Sequence, residues 1–409
     1  MAEGILSGMR IIEGSAFIAA PLGGMTLAQM GADVIRFDNI GGGLDAKRAP
    51  LTKSGNSIYW ATWNKGKRSI MIDLYSEKGR ELVSELITLP GEDNGLFLTN
   101  LPMRGWLDYK TLSLRRKDLI AISIVGSSDG QSAVDYTVNA ATGFPHINGP
   151  TSDKFPLNNP LPVWDMLAGN AAATGLLAAE RYRSRTQKGQ VIRLALTDIA
   201  FNAVANSGIT AEIQVNGNQR GYEGNDIYGS YGHDFATADD RRVMVVAVTT
   251  RMWKNLLNAT DLHQTFRDFA NKQNINLENE HARYYWRKEI TKILQPWFLA
   301  RKLKEIEKKL TQHEVCWEKF QTFKQMITED PRFSENNAMF SNLHQPGVGS
   351  YLAPGSPIDF SAQERLAVHP APILGQHTNE ILNDVLGLPD HTIAKLHDDC
   401  IVADPTPPE

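Results

Sequence analysis

The chain has 409 residues, 42% of them hydrophobic and 22% charged, with a formal net charge of −4. That length favours two cores over one, and the near balance of charge, without blocks of one sign, argues against nucleic acid or an anionic membrane as partner. Cys316 and Cys400 stand far apart without metal-ligand spacing, and neither an export leader nor a run of eighteen apolar residues is present, so a cytoplasmic protein without a membrane span is expected.

The first elements alternate in type. MRIIEG (9–14) reads as a buried strand and PLGGMTLAQMG (21–31) as a helix, with Pro21 in its first turn and Gly31 past its end. ADVIRFD (32–38) reads as the next strand, which completes a βαβ unit. RSIMIDL (68–74), GLFLTN (95–100) and DLIAISIVG (118–126) continue as strands, with EKGRELVSELI (77–87) as a helix among them. Such alternation predicts an α/β fold, a parallel open sheet of Rossmann type with helices on its faces. The first loop reads GSAFIAAPLGG (14–24) and lacks the GxGxxG fingerprint, so a nicotinamide or flavin cofactor is not expected.

Further on come a helix over 166–183, the turn TQKGQ (186–190), the strand VIRLAL (191–196) and one helix TDIAFNAVANSGITAEI (197–213). The stretch 216–240 is rich in Gly, Asn, Asp and Tyr and reads as loop. RRVMVVAV (241–248) is a strand, followed by charged amphipathic helices from about 253 to 309. These features predict a smaller α/β domain over 225–325, between a large domain of 1–224 and a C-terminal part, 326–409, that returns to it. QPGVGSYLAPGSPIDFS (345–361) reads as short strand pieces with turns, HTNEILNDVLGL (377–388) as a short helix, and PTPPE (405–409) as a frayed tail.

One residue is chemically out of place. In LPVWDMLAGNAAATGLL (161–177), Asp165 stands alone at the mouth of an apolar helix. An Asp there caps the helix by accepting from first-turn N–H groups. The same N–H groups and the helix dipole would also keep a nucleophilic carboxylate ionised, so the two roles are compatible. WNKGKRS (63–69) is either a phosphate contact or a solvated turn, and the loop residues His146 and His233 read as surface or hydrogen-bonded structural histidines in preference to lining a site. HDDC (397–400) is too small a cluster to indicate a metal, and no metal site is expected.

Several blocks, in order, resemble the class III CoA-transferases: LSGMRIIEGSAFIAAPLGGMTLAQMGADVIRFD (6–38), WNKGKRSIMIDLYSEKGRELVSELI (63–87), PVWDMLAGNAAATGLLAAERYRSRTQKGQVIRLALTD (162–198), and the C-terminal PGVGSYLAPGSPIDFS (346–361) and APILGQHTNEILNDVLGL (371–388). The resemblance implies a Rossmann-like large domain plus a smaller α/β domain in an interlocked homodimer. CoA is then part of the substrate, and there is no prosthetic group. It places the family's nucleophilic aspartate at Asp165. It implies CoA contacts from Phe17 and Ile18 on the first loop, from Arg36, Lys65, Lys67 and Arg68 to the phosphates, and from Asn100 and Arg104.

Departures within the family narrow the chemistry. Val134 stands where the racemases of the family carry a histidine, and a valine cannot move a proton. Asn39 and the loop after GYEGN, which has no run of consecutive glycines, depart from the formyl-CoA transferases. The resemblance then implies CoA transfer between the C1 and C4 carboxyls of one mesaconate, through an aspartyl mixed anhydride and an aspartyl-CoA thioester. Intermolecular transfer between an acyl-CoA and a free dicarboxylate is the alternative.

Overall fold

The structure, a computed structural model, describes residues 4–149 and 155–405; the last four residues of the PTPPE tail lie outside them. The described chain divides into two compact units. The larger comprises Met1–Thr142, Asn159–Glu212 and Pro331–Glu409, and the smaller comprises Gly143–Asn158 and Ile213–Asp330.

Apolar runs in the first third of the chain build the centre of the large unit. Strands β1 (Arg10–Gly14), β2 (Asp33–Asp38), β3 (Arg68–Met71), β4 (Leu96–Thr99), β5 (Ile120–Val125) and β6 (Gln190–Ala195) form one sheet in the order β3-β2-β1-β4-β5-β6. Every pairing in it is parallel. Each parallel step needs a crossover, and the crossovers place helices α1 (Ala19–Ala28), α2 (Ile58–Trp63), α3 (Glu77–Ile87), α4 (Tyr109–Arg115), α5 (Asp135–Ala141) and α6 (Val163–Thr186) between the strands. Both faces of β4 are covered, so it reads LFLT without alternation.

The order reverses at β1, which leads to β2 on one side and neighbours β4 on the other. In an open parallel sheet, ligands bind beyond the carboxyl ends of the strands at such a reversal. The loop after β1 is therefore the first place to look for a site.

The C-terminal segment belongs to the same core. Ile381, Leu382, Ile393, Leu396 and Val402 pack with Ile70, Ile72, Leu82 and Leu86. Each such aliphatic side chain contributes roughly 1.5–3 kcal/mol on full burial. The backbone N–H of His377 donates to Ser69 O, which fastens this return to β3.

Helix α6 lies across α1, and glycine permits the close approach. A Cβ on Gly169 would stand 2.7 Å from Ala19 O, and one on Gly23 would stand 3.0 Å from Gly169 O. Any side chain at Gly169 would push the helices apart. Asp165 lies one turn before Gly169, so this contact fixes its turn against the start of α1.

Two sequence expectations about helices need correction. The helix expected over 166–183 begins at Val163, which puts Asp165 inside its first turn. The single helix expected over 197–213 breaks at Gly208, φ +81°, into α7 (Leu196–Asn206) and α8 (Ile209–Asn216).

In the smaller unit, β7 (Gly232–Ala236), β8 (Arg242–Val246) and β9 (Cys316–Lys319) form an antiparallel sheet. The expected loop over 216–240 thus ends in a strand, because Phe235 is buried and stacks on Phe298 with centroids 4.1 Å apart. Trp253, Phe266 and Leu294 complete that core. Ahead of β7 the loop is pinned. Asp226 meets His233 Nδ1 at 2.5 Å and Arg287 at 3.3 Å, and Glu223 meets Arg287 at 3.3 Å. His233 is hydrogen-bonded as expected, but it stands in β7 and not in a loop.

Candidate active site

The loop after β1 is held in an unusual conformation. Phe17 adopts φ +66°, a left-handed value that costs a residue with a Cβ roughly 1–2 kcal/mol. The neighbouring backbone is clamped to stop it relaxing. Asn100, just past β4, accepts from the N–H of Ala16 at 2.8 Å and donates to its carbonyl at 2.7 Å. Strain of this kind, held by its surroundings, marks functional loops.

Beneath the loop lies a cluster of buried charges. Arg36 is fully buried and donates to both oxygens of Asp38 at 3.0 Å, to Asp45 at 2.9 Å, to Asn64 at 3.1 Å and to the carbonyl of Ser15 at 2.9 Å. Its guanidinium also lies 4.4 Å from the Trp60 ring centroid. Burial opposes its charge, but Asp38 and Asp45 prevail and hold its pKa well above the usual arginine value. Lys67 donates to Glu13 at 2.7 Å, to Pro21 O at 2.9 Å and to Asn64 at 3.0 Å. Burial pulls its pKa down to about 8 despite Glu13.

Several of the residues expected at the phosphates are thus engaged by partners within the protein. Arg36 and Lys67 spend their donors inside the protein and offer no free face to an anion. Lys65 is buried as well, donating to Thr62 O at 2.6 Å. Arg68 starts β3, at the amino end of the parallel strands and so at the opposite end from the loop, and pairs with Asp33 and Glu380. Asn100 spends its amide on the first loop. Phe17 and Ile18 do lie at the carboxyl end of β1, and Arg104 is exposed on the segment that follows β4.

Asp165 occupies the third position of α6 and is half-buried. It does not cap the helix. The N–H groups of Trp164 and Asp165 donate to Asp135 Oδ2, at 2.7 and 2.9 Å. The Trp164 indole donates to Asn139 at 3.1 Å, so α5 grips the first turn of α6 at two points. The first-turn donors are taken, and the Asp165 carboxylate has no hydrogen-bond partner among the described residues. Burial first, and then the Asp135 charge, raise its pKa to about 6. The expectation that helix N–H groups hold it ionised is reversed, because another carboxylate already occupies them.

Tyr59 feels the charge of this carboxylate and stacks with the cation that also covers Phe17. Burial pushes its phenol up to about 12; Arg48 opposes that, while Asp45, Asp165 and Tyr136 add to it. The Arg48 guanidinium lies 5.1 Å from the Phe17 centroid and 5.3 Å from the Tyr59 centroid. Exposed Arg48 thus spans two rings, in a setting suited to anionic ligands.

Sequence reasoning did not single out Asp135, Arg48 or Tyr59. Asp135 opens its own helix in the sequence, and nothing local ties it to a turn thirty residues later. Arg48 sits in an irregular segment without periodicity.

The large unit thus carries a half-buried carboxylate without a hydrogen-bond partner in the first turn of α6, beside a second, buried carboxylate. The profile of CoA-transferase family III matches residues 6–378, and the chain belongs to that family. It is 50% identical over 404 residues to the 2-methylfumaryl-CoA isomerase of Chloroflexus aurantiacus, covering 98% of this chain and 99% of the relative. It is 27% identical to the succinyl-CoA–D-citramalate CoA-transferase of the same organism, with 96% of both chains covered. Among solved structures, a CaiB/BaiF family protein from Brucella suis superposes with a TM-score of 0.76 at 22% identity, over 94% of this chain and all of the other. That likeness bears on the fold, an α/β architecture with a parallel central sheet.

Proposed function

We propose that this chain is an intramolecular CoA transferase that converts mesaconyl-C1-CoA into mesaconyl-C4-CoA, with Asp165 as the nucleophile. The observation that carries the reading is the unpaired, half-buried Asp165 carboxylate in a chain half identical, end to end, to a 2-methylfumaryl-CoA isomerase. An Asp165 oxygen attacks the thioester carbonyl, the C–S bond breaks, and CoA leaves as thiolate. The thiolate attacks the Asp165 carbonyl carbon, the anhydride C–O bond breaks, and mesaconate is released within the site. Its other carboxylate then attacks the aspartyl-CoA thioester, and the same steps run in reverse.

With a pKa near 6, Asp165 is ionised at neutral pH and more basic than an ordinary carboxylate, which suits a nucleophile. Val134 leaves no proton-transfer histidine at its position, which supports transfer over racemisation. CoA would enter along the first loop, past Phe17 and Ile18, with Arg104 and Arg48 as the cations free to meet its anionic groups. The enzyme works without a prosthetic group, as a homodimer, in the cytoplasm. Both cysteines are free, and no described helix is long and apolar enough to cross a membrane.

The test supplies mesaconyl-C1-CoA with an excess of isotopically labelled free mesaconate. Unlabelled C4 isomer is the expected product. Label entering the ester would establish intermolecular exchange, and absence of turnover would remove mesaconate as the substrate.

A further inference from the structure

The start of an α-helix presents backbone N–H groups that need acceptors, and together they form a site for negative charge. In α6 each is accounted for. Val163 N–H donates to Leu161 O at 2.8 Å and Met166 N–H to Pro162 O at 3.1 Å. Trp164 and Asp165 N–H both donate to the one oxygen, Asp135 Oδ2. Asp135 is 2% exposed, and its other oxygen, Oδ1, is buried without a partner.

A carboxylate that served only as a cap would gain from having its second oxygen in water or on a donor. This one is buried with half of its hydrogen-bonding capacity unmet, at a cost of roughly 1–3 kcal/mol for such an acceptor. Its neighbour is the one carboxylate in the unit to which the proposed chemistry assigns a bond-forming role. No cation is among the groups that act on Asp165. From α2 it is faced by Tyr59, neutral at physiological pH, and Arg48 acts on that phenol rather than on Asp165.

Building on the reaction proposed above, we propose that Asp135 is a positioning residue for it: one oxygen fixes the first turn of α6, and the charge beside Asp165 favours the covalent, neutral state of that residue. The balance of charge gives the reason. Before reaction two carboxylates stand side by side. When the Asp165 oxygen has displaced CoA and the thiolate has in turn displaced the substrate carboxylate, the negative charge has moved from Asp165 to the released acid. Asp165 is then an uncharged thioester, and the repulsion between the two residues is gone. Asp135 thereby raises the free carboxylate relative to the aspartyl-CoA intermediate while keeping its backbone in place.

The test compares Asp135→Asn with the wild type. Asparagine retains an acceptor oxygen for both N–H groups and removes the charge, so the fold and the melting temperature should stay near those of the wild type. The Asp165 titration, read by carboxyl ¹³C NMR and assigned by its loss in Asp165→Asn, should shift to lower pH by about one unit, a tenfold change in proton affinity. The fraction of enzyme trapped as aspartyl-CoA after mixing with acyl-CoA, read by intact-protein mass spectrometry, should fall by about tenfold, following the same constant. Asp135→Ala removes cap and charge together, and should lower the melting temperature while giving the same titration shift.

An unmoved titration in Asp135→Asn would overturn the proposal, and so would a moved titration with an unchanged trapped fraction. The NMR titration needs no substrate. If mesaconyl-CoA proves not to be turned over, the substrate assignment fails while the coupling of the two carboxylates is still decided.

Discussion

Two groups of acidic residues lie in the large unit, and they are built on opposite principles. Beneath the first loop, Glu13, Asp38 and Asp45 share the donors of Arg36 and Lys67, so each carboxylate has a cation at about hydrogen-bond distance. At the mouth of α6, Asp135 and Asp165 have only each other and the backbone. The paired cluster ties Ser15, Arg36 and Asn64 into one geometry and keeps a strained loop in place. The unpaired carboxylates leave one oxyanion basic and open to reaction. Removing one partner from the first group therefore threatens the fold, whereas removing Asp165 from the second threatens only chemistry.

That contrast is open to direct attack. The largest effect should come from Asp165→Ala, which should lower turnover by ~10³-fold or more and abolish the CoA adduct in intact-protein mass spectra, with unchanged far-UV circular dichroism. Wild-type activity in a folded variant would remove Asp165 as the nucleophile.

Arg36→Met should act on stability first, because it leaves Asp38 and Asp45 buried without their cation. A loss of roughly 3–5 kcal/mol is expected in chemical denaturation. A variant as stable as the wild type would mean that the cluster does not hold the loop. Gly169→Ala should be milder, costing roughly 1–3 kcal/mol as the added Cβ forces α6 away from Ala19 O. Because it displaces the turn that carries Asp165, kcat should fall more than melting temperature alone would suggest.

The smallest effects concern pH. Asp165 has a folded-state pKa raised from 3.8 to about 6, so between those values the folded state binds more protons than the unfolded one. Stability contributed by this group is thus complete below about pH 4 and is lost as pH rises through 6. Asp165→Asn should accordingly be more stable than the wild type at pH 7, by ~1 kcal/mol after allowance for its partial exposure. The difference should vanish near pH 4. In the wild type, kcat should fall on the acid side with a midpoint near pH 6, and an acid limb near 4 would show that Asp135 and burial do not act on Asp165 as described.

Much of the fold was legible in the sequence. The central strands β4 and β5 read as nearly unbroken apolar runs because both faces are covered, and helices such as 77–87 carried a clear amphipathic period. The break at Gly208 and the strand at Gly232–Ala236 were harder to read. One depends on a single left-handed glycine in an otherwise helical pattern, and the other on a partner strand and on Phe298, sixty residues away. Asp165 stood out because a lone carboxylate before an apolar helix is rare enough to ask for a reason. The partners of the cations were not legible, since Arg36, Lys65, Lys67 and Arg68 look alike in sequence whether they face a ligand or an internal acceptor.

Residue order alone was enough for most of the strands and helices, for the lone carboxylate proposed as the nucleophile and for the family, since local pattern and residue type carry those. Only the tertiary structure decided which charges are already spent and which are free. It decided, too, that the acceptor capping α6 comes from Asp135 and not from Asp165. Charge state and hydrogen-bond satisfaction depend on what surrounds a group in space, and that neighbourhood is assembled from segments thirty to three hundred residues apart.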